Sequence, residues 1–221
     1  MRIAYITTKE PTDKKIWSGS TNYIYETLVG TGHQIDALGP IEDYFKLSLN
    51  IFQKIIRLIG LDYDPDRSVL LSKYYAWKIK KKLKKKYDLI FVHETNLVSY
   101  LKVKIPVILW TDISYYLYKK TYLKNLNFVK DNGLYLEKLA HKNLSKLIYT
   151  SDWVVKDLKK RRYLKKKKIF KLPLGSNFPK ERLPFKNIRK EFNELNLLSI
   201  GVDWERKGFT KAILVNEELN K

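Results

Sequence analysis

The chain has 221 residues, of which 44% are hydrophobic, and its 44 Lys and Arg against 23 Asp and Glu give a formal net charge of +21. This composition predicts a packed globular protein rather than a disordered one, attracted to polyanions such as nucleic acid, anionic lipid or nucleotide phosphates. The absence of cysteine excludes disulfides, thiolate nucleophiles and cysteine-ligated zinc, and favours a reducing cytoplasm.

Short apolar runs alternate with segments of helical periodicity along most of the chain. The runs lie at residues 2–7, 34–38, 87–93, 105–110, 146–150 and 168–173. Strands that alternate with helices predict a parallel, doubly wound α/β sheet. Ligands of such sheets bind beyond the carboxyl ends of the strands, so the residues that follow each run are the first candidates for a site.

Two helical segments follow the first two strands. Ser20 is positioned to cap a helix that Gly30 and Gly32 end. Residues 44–59 form an amphipathic pattern with basic residues on the polar side. We interpret this segment as an ordinary core-facing helix, with docking on a membrane surface as the alternative. No apolar run reaches about 18 residues and no signal-peptide pattern follows Met1, so we expect no membrane-spanning segment.

The periodicity changes near the carboxyl end of the chain. Residues 1–177 are predicted to form one domain, and residues 178–194, which carry Pro179 and Pro184, are predicted to form a linker. A strand at 195–201 and a helix at 209–219 would then begin a second domain. One strand-helix unit cannot bury enough apolar surface to fold alone, so this domain is expected to be incomplete.

A phosphate-binding pattern separates that last strand from the helix. It runs Gly-Val-Asp-Trp-Glu-Arg-Lys-Gly from Gly201 to Gly208. The two glycines allow the backbone to approach a ligand, the helix amino terminus offers free N–H groups, and Arg206 and Lys207 add positive charge. A solvated basic loop is the alternative.

Polar residues also follow the predicted strands of the first domain. Gly19 and Ser20 lie on the loop after the first strand, where the backbone is able to approach a phosphate or an acceptor. His93 and Glu94 end the third strand, where they form either a proton relay or ordinary loop contacts. Asp112 ends the fourth strand and is either a functional carboxylate or a helix cap.

Several of these segments, taken in order, resemble group 1 (family 4) glycosyltransferases of the GT-B fold. The segments are RIAYIT at 2–7, WSGST at 17–21, LWTD at 109–112, YTSDW at 149–153, LPLGSN at 172–177 and GVDWERKG at 201–208. The resemblance implies a Rossmann-like amino-terminal domain that binds the acceptor, followed by the start of a Rossmann-like domain that binds a nucleotide diphosphate sugar.

The resemblance also implies roles for individual residues. Arg206 and Lys207 match positions that hold the donor diphosphate. Asp112 stands where many relatives have a catalytic-site histidine, which makes it a candidate general base or sugar-orienting carboxylate. Gly175 resembles a glycine near the cleft, where Ser176 or Asn177 could contact a ligand. The expected reaction is retaining sugar transfer to a glycan or lipid-linked acceptor of the cell envelope, without a metal or cofactor.

The chain departs from the family pattern in two ways. Val202 stands where many relatives have an arginine, and the paired glutamates of the donor domain are not found before Lys221. We therefore expect an inactive or incomplete enzyme unless a second chain supplies the donor domain. The expected location is the cytoplasm, with peripheral contact at the inner face of the plasma membrane.

Runs of lysine suggest a competing function. Residues 78–86 hold seven lysines, and a second basic run spans residues 156–171. These runs are typical of solvated helix ends, but they also allow a module that binds nucleic acid or anionic membrane without catalysis. We do not expect nucleic acid as a partner, because the nearby aromatic residues have core-like spacing. Asp62-Tyr63-Asp64 resembles a metal-diphosphate motif, but the flanking Gly60 and Pro65 predict a turn between helices instead.

Overall fold

The computed structural model describes residues 1–41, 44–123, 127–129, 131–165, 168–175, 177, 197–201, 204–205 and 207–220. The chain divides into two compact units, Met1–Asn177 and Phe178–Lys221. The first unit contains the sheet, and the second contributes one helix among its described residues.

Six short strands of the first unit form one sheet in which every pair of neighbours is parallel. In chain order they are β1 Arg2–Ile6, β2 Gln34–Ala37, β3 Leu89–Val92, β4 Val107–Thr111, β5 Lys146–Tyr149 and β6 Lys168–Lys171. Their spatial order is β2-β1-β3-β4-β5-β6. The predicted parallel α/β architecture is therefore confirmed, and it is consistent with a Rossmann-like fold.

The described helices lie between the strands and after the last one. They are α1 Ser20–Gly30, α2 Tyr44–Leu58, α3 Val69–Lys82, α4 Tyr115–Tyr122, α5 Gly133–Asn143, α6 Asp152–Lys159 and α7 Phe209–Leu219. Short 3-10 turns occur at Ile16–Gly19, Pro65–Arg67, Thr95–Leu97 and Arg162–Leu164. None of the helices in the described part of the chain is long and apolar enough to cross a bilayer.

Alternating side chains of the central strands fill cores on both faces of the sheet. Ala4 and Ile6 of β1 belong to the larger core, whereas Ile3 and Tyr5 belong to a smaller core beside α1. All four are almost fully buried. Because parallel strands are covered on both faces, they appear in the sequence as continuous apolar runs. Each large apolar side chain buried in this way stabilises the fold by about 1.5–3 kcal/mol.

The strand order places a switch point between β1 and β3. The chain leaves β1 for β2 on one side and returns to β3 on the other. Loops that leave neighbouring strands in opposite directions open a crevice at the carboxyl edge of the sheet. The residues that follow β1 and β3 are therefore the ones that the fold places at a ligand site.

Helix α2 corrects one expectation from the sequence. We interpreted this segment as core-facing, but no residue between Tyr44 and Leu58 is buried. The reason is competition for the sheet face, since α3 already covers it with Leu71, Tyr75 and Ile79. Only Phe45 and Leu49 of α2 pack against that core, as partly buried side chains.

Candidate functional site at the carboxyl edge of the sheet

A carboxylate bridges the two loops at the switch point. Glu94, just after β3, accepts hydrogen bonds from the backbone N–H and the hydroxyl of Thr8, at 3.2 and 3.0 Å. Burial raises the pKa of Glu94 to about 7, against the opposing effect of these Thr8 donors. Glu94 therefore titrates near neutral pH, which is the range in which a carboxyl group exchanges protons with a substrate.

His93 is held by protein groups at both ring nitrogens. Its Nδ1 lies 3.1 Å from the carbonyl oxygen of Trp110, and its Nε2 contacts the hydroxyl of Tyr5. Burial lowers the pKa of His93 to about 4, so the ring is neutral near pH 7. Because a carbonyl only accepts, Nδ1 of the neutral ring carries the N–H, so Nε2 and the Thr21 carbonyl oxygen are two acceptors that share the single proton of the Tyr5 hydroxyl. His93 thus connects β1, β3 and β4, and neither of its ring nitrogens is available to bind a ligand.

A cavity of about 280 Å³ opens beside these residues. Its walls come from the ends of β3 and β4, the turn before α3, and helices α4 and α5. The lining residues are Asp66, Arg67, His93, Glu94, Thr95, Asn96, Thr111, Asp112, Ile113, Tyr115, Tyr118 and Glu137. The cavity is large enough for a small polar ligand or one end of a longer one.

The cavity wall is acidic although the chain as a whole is basic. Among the described lining residues there are four carboxylates, Asp66, Glu94, Asp112 and Glu137, and one guanidinium, that of Arg67. Asp66 also pairs with Lys46 of α2. Burial raises the pKa of Glu137, although the Tyr115 N–H, Arg161 and Arg67 oppose the shift. An acidic wall disfavours a polyanion and favours a ligand rich in hydroxyl donors.

Asn96 lines the cavity and, within the described part of the chain, has a buried side-chain oxygen without a hydrogen-bond partner. The residue is 3% exposed, and its Nδ2 donates to Asp66 Oδ1 at 3.3 Å. Its Oδ1 has no hydrogen-bond partner among the described residues. A buried acceptor without a partner costs about 1–3 kcal/mol of stability.

Arg67 and Tyr115 form another part of the cavity wall. The guanidinium carbon of Arg67 lies 4.5 Å from the centre of the Tyr115 ring. Gly133, at the start of α5, packs so closely on this ring that a β-carbon there would overlap it. The carboxylate of Glu137 accepts from the Tyr115 backbone N–H. These contacts fix the position of the ring and of both charged groups.

Asp112 is free for a functional role because another residue caps the helix that follows. Helix α4 begins at Tyr115, and the hydroxyl of Ser114 accepts from the Leu117 N–H at 3.4 Å. The interpretation of Asp112 as the helix cap is therefore wrong. Asp112 is exposed and lines the cavity, where its Oδ1 lies 3.5 Å from the Thr111 hydroxyl.

The loop after β1 brings Gly19, Ser20 and Asn177 together. The side-chain amide of Asn177 donates to the carbonyl oxygen of Ser18 at 2.7 Å and to Ser20 Oγ at 3.0 Å. Gly19, not Ser20, occupies the cap position of α1, which has no side-chain cap among the described residues. The prediction that Ser20 caps this helix is wrong, because its hydroxyl is directed to Asn177 instead.

The backbone of this loop is strained. Trp17, Ser18 and Gly19 have φ values of 49°, 54° and 86°, in the left-handed region where only glycine is unstrained. The Trp17 ring lies 5.5 Å from the His93 ring, between centroids. Strain of this kind persists where surrounding contacts hold it, often at functional sites. Gly175, which precedes Asn177 in the chain, is among the described residues, whereas Ser176 lies outside them.

The predicted phosphate loop belongs to the second unit. Gly208 has φ 75° and occupies the cap position of α7, which begins at Phe209 as expected. Gly201 lies so close to the side chains of Lys207 and Phe209 that a β-carbon there would approach each to 3.0 Å. Lys207 is exposed, and Arg206 lies outside the described residues. Residues 197–201 form no strand, so the predicted strand is not found in its described part.

The remaining candidates have structural partners. Asp62 pairs with Arg57 at 2.9 Å, and Asp64 accepts from the Asp66 N–H at 2.9 Å, so both acids of the Asp-Tyr-Asp sequence support local turns. In the first lysine run, Lys82 donates to the Leu38 carbonyl at 3.3 Å. Within the described ranges, no group of three or more His, Asp or Glu side chains is placed to hold a metal.

Arg67, Asn96 and Glu137 are among the cavity residues that the sequence analysis missed. Arg67 follows a proline turn and Glu137 lies inside a helix, so neither directly follows a strand. Their sequence positions therefore carry no local signal, and only the packing of α4 and α5 places them at the sheet edge. A buried acid in an amphipathic helix was the one available sign for Glu137, which is 2% exposed.

Comparison with protein families finds no family model that matches this chain, and comparison with curated proteins finds no significant relative.

Proposed function

We propose that this chain is the acceptor-binding part of a glycosyltransferase that uses a nucleotide diphosphate sugar. The observation that carries the proposal is an acidic cavity at the carboxyl edge of a parallel sheet, in a chain with a net charge of +21. The resemblance of the segments at 2–7, 17–21, 109–112, 149–153, 172–177 and 201–208 to family 4 glycosyltransferases supports the same function.

The chemistry of the cavity supports a neutral, hydroxyl-rich acceptor. The carboxylates of Glu94, Asp112 and Glu137 accept hydrogen bonds from sugar hydroxyls, while Arg67 donates to their oxygens. The acceptor class is therefore a glycan or a lipid-linked glycan.

We assign to Asp112 the role of binding the acceptor hydroxyl that attacks the donor sugar. Its carboxylate is exposed at the cavity and has no helix to cap. In sugar transfer, the bond from the anomeric carbon to the diphosphate oxygen breaks as the bond to the acceptor oxygen forms. Asp112 orients the acceptor hydroxyl and takes up its proton, while the electron pair leaves with the diphosphate. His93 positions the strand ends through Tyr5 and Trp110.

We assign the donor diphosphate to the loop that leads into α7. Lys207 is exposed, and the amino terminus of α7 at Gly208 has no side-chain cap in the described part of the chain. Together with Arg206, these groups neutralise charge that develops on the leaving diphosphate. This assignment requires no metal ion and no cofactor.

The competing function is a basic module that binds nucleic acid. The decisive experiment measures binding of neutral oligosaccharides and of single-stranded DNA at about 0.15 M salt. We expect saturable, salt-insensitive binding of a neutral glycan and weak DNA binding. Tight, sequence-independent DNA binding with a steep salt dependence, and no glycan binding, would overturn the proposal.

A further inference from the structure

Helix α2 exposes a continuous apolar stripe along its whole length. The exposed fractions are 86% for Tyr44, 54% for Leu47, 54% for Ile51, 57% for Ile55 and 86% for Leu58. Steps of three and four residues place these side chains on one face of a helix. Phe52 and Ile59, 41% and 70% exposed, widen the same face.

The fold holds this stripe outward rather than leaving the helix free to turn. Phe45 and Leu49 pack against the main core, and the Phe45 ring lies 5.6 Å from that of Tyr74 in α3. Lys46 pairs with Asp66. Contacts on one side of α2 therefore fix the opposite side toward the surroundings.

Basic and aromatic residues are also exposed on α2 and on α3, the helix whose Tyr74 contacts Phe45 of α2. Lys54 is exposed on α2, and the neighbouring helix α3 exposes Trp77, at 51%, with Lys73, Lys80 and Lys81 on the same side. Lys81 Nζ lies 3.9 Å from the Trp77 ring centre. Tryptophan, tyrosine and lysine beside an apolar helix face are the residues that favour the boundary between lipid headgroups and acyl chains.

We propose that α2 is an interfacial helix that docks its apolar stripe into the surface of an anionic lipid bilayer. At 15 residues the helix is too short to span the hydrocarbon core, so it lies in the plane of the interface. The net charge of +21 attracts the whole chain to anionic lipid but repels a second copy of itself. Charge thus favours a bilayer over self-association as the occupant of this face.

The proposal concerns a surface other than the cavity, and its test does not depend on sugar binding. The chain has no cysteine, so a single introduced cysteine gives a unique label. We would label Ile51→Cys with an environment-sensitive fluorophore and use Val29→Cys, 48% exposed on α1, as the matched control. The probes are vesicles of phosphatidylcholine with and without about one-third phosphatidylserine.

With anionic vesicles, we expect a blue shift and brightening of the label at position 51 and no change at position 29. Replacing Lys54 and Lys81 with glutamate should weaken vesicle binding by about tenfold or more, because each basic residue near the surface contributes to attraction. Ile51→Asp with Ile55→Asp should abolish binding without changing the thermal unfolding midpoint, since both side chains are more than half exposed.

Two results would overturn the proposal. One is an unchanged label at position 51 when the vesicles are added at high concentration. The other is a blue shift without vesicles that accompanies a doubling of the molar mass in solution, which would assign the stripe to a second copy of the chain.

Discussion

Asn177 donates a hydrogen bond to the carbonyl oxygen of Ser18, 2.7 Å away, although 159 residues separate the two in sequence. The contact joins the last described residue of the first unit to the strained loop after β1. Both partners belong to segments that the sequence analysis placed at the ligand-facing edge. This hydrogen bond therefore helps to hold the left-handed backbone of the loop after β1 in place.

Replacing Asn177 with alanine should destabilise the first unit. The change removes donors to Ser18 and to Ser20 Oγ, and we expect a loss of about 1 kcal/mol in the free energy of unfolding. Urea denaturation measures the change. Asn220→Ala is the matched control, because Asn220 donates only within the exposed end of α7, to Asn216. An equal loss in both variants would contradict the role of Asn177.

Tyr5→Phe tests the buried polar connection beneath the site. The Tyr5 hydroxyl lies 2.7 Å from the Thr21 carbonyl oxygen and contacts His93 Nε2, and the residue is fully buried. Removing it leaves both groups without this partner, which should cost about 1–3 kcal/mol of unfolding free energy. Tyr44→Phe, at an 86% exposed position, should leave stability unchanged in the same denaturation experiment. A neutral effect of Tyr5→Phe would show that the connection contributes no stability.

Glu94→Gln should change how stability depends on pH. The pKa of Glu94 is raised from 4.5 to about 7, so the folded state binds its proton more tightly than the unfolded state does. The cost of ionising Glu94 is absent below pH 4.5, grows as the pH rises, and is complete above pH 7. Since one pKa unit corresponds to about 1.4 kcal/mol and the side chain is partly exposed, we expect the variant to be more stable by ~2 kcal/mol above neutrality.

The measurement is urea denaturation of both proteins on either side of this pH window. The variant and the parent should have the same stability at the acidic end, where Glu94 is protonated in both states. A stability difference that does not change with pH would contradict the raised pKa. Glu26→Gln, at an exposed position of α1, is the control for a general effect of removing a carboxylate.

Gly133→Ala should destabilise the wall of the cavity. A β-carbon at Gly133 would overlap the ring of Tyr115, which stacks on Arg67 and lines the cavity. Forcing extra volume into a packed contact costs about 1–3 kcal/mol. Thermal unfolding should show the loss, whereas Gly30→Ala, where no atom lies within 4 Å of the new carbon, should not. Equal melting temperatures would indicate that the ring moves freely.

The sequence predicted the parts of the fold that depend on local patterns. Apolar runs identified the six strands of the sheet, and the glycines at 30 and 208 marked the end of α1 and the start of α7. The sequence did not predict features that depend on competition between distant segments for the same surface. Helix α2 has the pattern of a core-facing helix, but α3 occupies the sheet face that it would have covered.

The candidate site was predicted in part for the same reason. His93, Glu94 and Asp112 follow strands, so the parallel topology places them at one edge. Arg67 and Glu137 reach the cavity through packing between elements far apart in sequence, whereas Asn96 lies in the turn directly after β3 and was overlooked. The cap role of Ser20 was wrong because its hydroxyl bonds to Asn177, a partner 157 residues away that no local pattern reveals.

The most direct test of the central claim is saturation-transfer NMR with a panel of neutral mono- and oligosaccharides. The full chain and Glu26→Gln should transfer saturation to at least one glycan, and Asp112→Asn and Glu94→Gln should bind it about tenfold more weakly, since each loses a charged acceptor at the cavity. Absence of transfer to every sugar, or equal affinity in all four proteins, would contradict an acceptor site at the carboxyl edge of the sheet.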